Sequence, residues 1–252
     1  PPVFAHLPLI LGDDGKKLSK RHGALSVLEY RDQGYLPQAL LNYLLRLGWS
    51  HGDEEIFSIE RMMQLFDLDH VSKSPAQFDA QKSLWINQQY IKNAKPDDLV
   101  GQVQRLFDLR GIATASGPQL SGVIAAQLER AKTLDEMVDK SSFFYQPVEG
   151  YDEKAFKKHV KPDFIPAVRY VYEQFVAISV WEKAGLHQII LDSSERFAVK
   201  LGKVAQPIRL ALTGGTVSPP LDITLELLGR ETVLQRFKDF FFQVDSTQDD
   251  MS

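Results

Sequence analysis

"LPQALLNYLLRLGW", residues 36–49, carries several independent signs of a helix. Pro37 suits a first helical turn, where its fixed φ fits and its missing N–H is not needed. Leu40, Leu41, Leu44, Leu45 and Leu47 recur along one apolar side, and Gly48 stands where a helix stop is expected. The same signature repeats along the chain. Ser58 is expected to cap "SIERMMQLFDL" and Asp79 to cap "AQKSLWINQQYI". "KPDDLVGQVQRLFDLRG" opens at Pro96 with acids in its first turn, repeats Leu99, Val103 and Leu106, and runs out at Gly111. Leu120, Val123, Ile124, Gln127 and Leu128 make a further helical face. Thr133 to Glu136 reads as a capping box that restarts the chain, and Ser179 to Glu182 as a second one. Near the end, Leu221, Leu225 and Leu228 share one face, and Val233, Leu234, Phe237, Phe240 and Phe241 another. Almost everything after residue 35 is therefore expected to be helical, which makes the fold class mainly α.

Composition narrows the function. Of the 252 residues, 44% are hydrophobic and 25% charged, with no apolar run near the roughly 20 residues that cross a bilayer, so a globular protein without a membrane partner is expected. The chain has no cysteine, which excludes disulfides, thiolate zinc sites, iron–sulfur clusters and cysteine nucleophiles, and suits a reducing, cytoplasmic setting. Six scattered histidines without metal-ligand spacing argue against bound zinc. The first residues, "PPVFAHLPLI", lack both an initiator methionine and an export signal, and read as the interior of a longer protein.

The net charge of −4 argues against indiscriminate nucleic-acid binding. Its distribution says more. Residues 16–31 hold Lys16, Lys17, Lys20, Arg21 and Arg31 against Glu29, and residues 196–210 hold Arg196, Lys200, Lys203 and Arg209 with no acid. Two basic patches on an acidic body suit a specific anionic partner. The first patch lies in "GDDGKKLSKRHG", residues 12–23. This is not a P-loop, because two residues rather than four separate its first glycine from the next and no Ser or Thr follows the lysine directly. A solvated turn between two strands is the plain structural reading.

"KLSKR", Lys17 to Arg21, resembles the KMSKS motif of class I aminoacyl-tRNA synthetases, with Leu18 for Met and Arg21 for the final Ser. The longer phrase "FAHLPLILGDDGKKLSKRHGA" is similar to the bacterial glutamyl-tRNA synthetase version. "GYLPQALLNYLLRLGWS" and "FDAQKSLWINQQYI" resemble that family's stem-contact region, and "VKLGKVAQPIRLALTGGTVSPPLDITLELLGRETVLQRF" its last helical domain. The resemblance spans residues 1 to about 241. It implies a C-terminal part of a glutamate–tRNA ligase, with the Rossmann half and its HIGH motif lying upstream.

The resemblance also implies a plan. A short strand and loop from the catalytic region would lead into a helical stem-contact domain over residues 1–95. All-helical anticodon-binding modules would follow at 96–146 and 147–244, with a disordered acidic tail at 245–252. Lys17, Leu18, Ser19, Lys20 and Arg21 would face the triphosphate of ATP, which comes with Mg2+ in the full-length enzyme. Lys17 and Lys20 would stabilise charge growing on the leaving pyrophosphate. The whole enzyme would join L-glutamate to tRNA(Glu) through glutamyl-adenylate, whereas this chain alone would bind no cofactor, hold no metal and be inactive. A monomer is expected.

In "LERAKTLDEM", Arg130 matches the arginine that reads the third anticodon base in discriminating members of the family. A guanidinium donates to cytosine O2 and N3, whereas guanine presents its own donors at N1 and N2. Arg209, Ser218 and Leu221 match further RNA-binding positions, with Ser218 in place of threonine and Pro220 where some relatives have glycine. Two alternatives stay open: a non-discriminating enzyme that charges both tRNA(Glu) and tRNA(Gln), and a tRNA-binding module that stands alone.

Overall fold

The computed structural model describes residues 1–19 and 25–249. It is mainly helical, and its contacts gather into two compact units, Pro1–Arg110 with Gln127–Asp139 and Gly111–Ala126 with Lys140–Ser252. The breakers at 96 and 147 mark a helix start and a loop within these units. α5 opens at Pro96 and packs on α7 inside the first unit, so the chain crosses between units three times.

In the first unit, β1 (Ile10–Leu11) pairs in parallel with β2 (Ala76–Gln77). Around them stand α1 (Val27–Asp32), α2 (Pro37–Gly48), α3 (Ile59–Leu65), α4 (Ala80–Asn93), α5 (Pro96–Leu109) and α7 (Leu134–Asp139). Pro37, Ser58, Asp79 and Pro96 start their helices as the sequence leads one to expect. α1 was not foreseen, although Ser26 and Glu29 form a complete capping box at its start.

α2 turns a different face inward from the leucine-rich one. Ala39, Leu40, Asn42 and Tyr43 are buried, whereas Leu41 and Leu44 are exposed. Polar anchors decide the rotation. Asn42 donates to the carbonyl of Glu55 at 2.9 Å and accepts from the N–H of Phe57 at 2.7 Å, and the Tyr43 hydroxyl accepts from the N–H of Asp79 at 2.6 Å. Buried hydrogen-bonding groups left unmade would cost more than two exposed leucines. Gly48 is the last helical residue rather than a left-handed stop, because buried Trp49 leaves the helix in an extended conformation to bridge Val71.

The second unit contains α6 (Leu120–Gln127, whose last residue falls in the first unit), α8 (Glu153–His159), α9 (Ile165–Ala177), α10 (Lys183–Arg196), α11 (Leu201–Thr213), α12 (Leu221–Leu228) and α13 (Arg230–Asp249). Its core runs from Val123 and Phe144 through Val168, Val171 and Phe175 to Phe237, Phe240 and Val244. Burying this many large apolar side chains, at about 1.5–3 kcal/mol each, is what offsets the ordering of the chain. Buried Arg236 on α13 donates to the carbonyls of Leu212, Phe143 at 2.7 Å and Gln146 at 3.0 Å, which joins three segments. Burial pushes its pKa down to about 10, still far above neutrality, so the guanidinium stays charged.

Two expectations are corrected here. α10 does not begin with a capping box at Ser179; it starts at Lys183, whose N–H donates to the Glu226 carboxylate at 3.0 Å, while the Trp181 indole donates to the Leu225 carbonyl. Tertiary partners thus supply what a local cap would have. Nor does a disordered tail begin at 245. α13 continues to Asp249, held by buried Val244, an Asp245–Arg169 ion pair at 2.6 Å and the Ser246 hydroxyl donating to the Phe242 carbonyl. Residues 250–252 of that segment lie outside the described residues.

Candidate nucleic-acid interface

The basic loop begins as a tight hairpin. Gly12 donates to the Lys16 carbonyl at 2.8 Å, Gly15 takes the left-handed conformation at φ 73°, and Lys17 bridges back to Leu11 in antiparallel fashion. The Leu18 N–H then donates to the Ile10 carbonyl at 2.8 Å. Glycine fits here because a left-handed turn disfavours a Cβ. Lys16 leans toward Asp14 at 3.7 Å, while Lys17 is exposed and makes no ion pair among the described residues. Leu18 is half-buried and Ser19 exposed. Lys20 and Arg21 lie outside the described residues.

Arg130 sits half-buried in the turn between α6 and α7, with its N–H donating to the Gln127 carbonyl at 2.8 Å. The turn is braced closely. Glu136 accepts from the N–H of Lys132 at 2.7 Å, and Thr133 caps the N–H of Glu136 at 3.1 Å, a capping box shifted by one residue. Behind it, fully buried Asn87 of α4 donates to the Lys132 carbonyl at 2.7 Å and accepts from the Leu36 N–H at 2.8 Å. The Leu134 N–H donates to the Gly34 carbonyl at 2.9 Å. Gly34 has φ 78°, and a Cβ there would lie 2.3 Å from the Asp135 nitrogen. Arg110, at the end of α5, reaches Asp135 at 2.6 Å and Asp139 at 3.0 Å. The turn is thereby tied to α4, α5 and the segment around Gly34.

Arg209 and Ser218 meet directly, as the guanidinium Nε donates to the Ser218 hydroxyl at 2.9 Å. Ser218 is buried and passes its own proton to the Pro219 carbonyl at 2.8 Å. The serine therefore orients the arginine, whose planar guanidinium matches the geometry of a planar acceptor. Leu221, the first residue of α12, is buried at 9% exposure among core side chains. The structure thus unites Arg209 with Ser218 and places Leu221 beneath them in sequence but within the core. Asn87 and Gly34 escaped the sequence reading, since a buried amide and a packing glycine have no local signature; only the turn-like "DQGY" around Gly34 hinted at the latter.

Comparison with known proteins identifies relatives over nearly the whole chain. Residues 90–241 match a family model described as an anticodon binding domain, and residues 1–85 match the catalytic domain of class I tRNA synthetases (E and Q). Glutamate–tRNA ligase 2 of Coxiella burnetii is 52% identical over 93% of this chain, and glutamate–tRNA ligase 1 of Alkalilimnicola ehrlichii 51% identical over 94%. The chain spans about half the length of these relatives, 50% of each. A crystal structure of a glutamate tRNA ligase from Elizabethkingia meningosepticum in complex with its amino acid superimposes with a TM-score of 0.85 at 29% identity, over 97% of this chain and 52% of that one. The glutamate–tRNA synthetase of Elizabethkingia anophelis gives 0.78 at 31% identity, over 95% and 51%. On these matches the chain belongs to the glutamyl-tRNA synthetase family, with residues 90–241 corresponding to its anticodon-binding domain and residues 1–85 to part of the catalytic domain.

Proposed function

We propose that this chain is the tRNA-contacting part of a discriminating glutamate–tRNA ligase that works in the cytoplasm as a monomer. Residues 1–95 contact the inner corner of tRNA(Glu), and the helical modules at 96–146 and 147–244 grip its anticodon loop. Arg130 reads the third anticodon base as cytosine, while Arg209, oriented by Ser218, takes a neighbouring base or phosphate. Support comes above all from the bracing of the Arg130 turn, because base discrimination needs a donor whose position does not adapt to the wrong partner.

In the full-length enzyme, glutamate and ATP give glutamyl-adenylate and pyrophosphate, and the acyl group then passes to the tRNA. Exposed Lys17, on its hairpin and without a carboxylate partner among the described residues, suits a triphosphate, with Lys20 three positions further on in the sequence. The ATP would bring Mg2+ with it, and the lysine charge would stabilise the leaving oxygens. The helical modules spend binding energy far from that chemistry to orient the acceptor end. By itself the chain is inactive, and ATP–pyrophosphate exchange by pure material would refute that.

Fluorescence anisotropy with tRNA(Glu), and with the same RNA carrying guanine at the third anticodon base, tests the reading across a salt series. The cytosine form should bind more tightly at every salt concentration, on the order of tenfold, and Arg130→Gln should erase the difference. Equal, steeply salt-dependent binding of both RNAs by the unaltered chain would overturn it.

A further inference from the structure

α8 carries a second basic feature. Lys154, Lys157 and Lys158 lie on α8 at helical spacing and Lys161 follows two residues past its end, with no acid between the first and the last, and all four are exposed. The opposite side of α8 faces inward, where Ala155 is buried and Phe156 packs on Tyr151 and Phe240. α8 packs against α11, which brings a second acid-free segment alongside. There Lys200 and Lys203 are exposed, and Lys203 Nζ lies 5.1 Å from the ring of Phe164, three residues beyond Lys161. His159 registers the convergence: burial holds its pKa below the usual histidine value, and the charges of Lys158 and Lys203 depress it further.

These cations differ from the arginines that tie elements of the fold together. Arg46, Arg105, Arg110 and Arg169 each hold a carboxylate within 3.0 Å. Among the described residues, none of Lys154, Lys157, Lys158, Lys161, Lys200 and Lys203 has an ion-pair partner. The macrodipole of α8 favours Lys157 and Lys158 at its C-terminal end, but the dipole of α11 opposes Lys200 and Lys203 at its N-terminal end. Mutual repulsion adds to that cost, and within the folded chain the Phe164 ring is the favourable contact shown for Lys203.

We propose that the lysine face of α8 and the start of α11 binds the sugar–phosphate backbone of the same RNA that Arg209 contacts, an assignment that rests on the tRNA-binding reading above. Lysines are point charges on flexible stems, which suits phosphates along a backbone rather than the edge of a base. The face also lacks an exposed aromatic ring on which a base would stack. Because Arg209 lies on α11 beyond Lys203, one RNA can engage both, with the lysines setting its position and Arg209 and Ser218 meeting a base or phosphate.

The test uses the whole chain, with both RNAs and the salt series, in two variants: Lys200→Gln with Lys203→Gln, and Lys154→Gln with Lys161→Gln. All four side chains are exposed, and unchanged circular dichroism and urea midpoints verify folding. Each variant should weaken binding of both RNAs equally, by on the order of fivefold per lost phosphate contact near 0.15 M salt, and should lower the log–log salt slope by about 0.7–0.9 per contact. Arginine at the same positions should restore both, and the cytosine-to-guanine ratio should not move. Unaltered affinity and slope in both variants, beside normal discrimination by the parent chain, would overturn this inference alone. A fall in the cytosine preference would also overturn it, by making the face part of base reading. Failure of the parent chain to bind either RNA would instead remove the tRNA reading.

Discussion

Glu55 shows how single residues in this chain are held. Burial opposes its charge, but Arg46 at 2.8 Å and Lys82 at 2.9 Å outweigh it and keep its pKa below the usual glutamate value. A carboxylate whose pKa is lowered by folding adds stability above its unfolded value of 4.5, and that contribution disappears as pH falls through the lower, folded value. The pair is partly solvated, so the contribution is modest. Glu55→Gln should therefore lower stability by on the order of 1 kcal/mol at pH 7, and by progressively less as pH falls below 4.5 toward 3. Urea midpoints at the two values check this, and an equal loss at both would mean that Glu55 acts through packing rather than charge. Arg209 illustrates the same logic at the proposed RNA site. Its residue type was readable from sequence, but the serine that aims it, nine positions on, became visible only when the chain between them folded back.

Among the elements, the turn between α6 and α7 depends on residues distant in sequence. Gly34 sits 100 positions before Leu134, whose N–H it accepts, and admits no side chain. Gly34→Ala would force a methyl group onto backbone atoms at 2.3 Å in a left-handed conformation, and should cost at least about 2 kcal/mol in thermal or urea unfolding. Asn87→Ala would leave the buried Leu36 N–H and Lys132 carbonyl without partners, at about 1–3 kcal/mol for each group. Its loss should also reduce the cytosine preference, although Asn87 is two residues removed from Arg130 in the chain of contacts. Helices with local signals were legible: Pro37, Asp79 and Pro96 begin where sequence placed them, and Leu99, Val103 and Leu106 are buried together. Misreadings arose where tertiary partners outvoted a local pattern. Asn42 and Tyr43 turned α2 away from its leucines, and Glu226 moved the start of α10. Within the proposed site, Arg130 and Arg209 are named by family resemblance, whereas Asn87 had no pattern to give it away.

At the scale of the molecule, the second unit closes around Arg236. Removing its guanidinium would strand three carbonyls, two of them in the segment Ser142–Pro147. Arg236→Met keeps much of the volume and should still lower the stability of the second unit by at least about 3 kcal/mol, measured as loss of its unfolding transition to lower urea. A change below about 1 kcal/mol would show that water replaces the guanidinium at these carbonyls.

The same contact orders events in time. Phe143 and Gln146 lie 93 and 90 residues ahead of Arg236 in the chain. On the ribosome their carbonyls emerge long before the side chain that will take them, and until then only water can serve them. Completion of the second unit is thereby tied to synthesis of α13, so a nascent chain halted short of position 236 carries a proposed anticodon reader that has not yet closed.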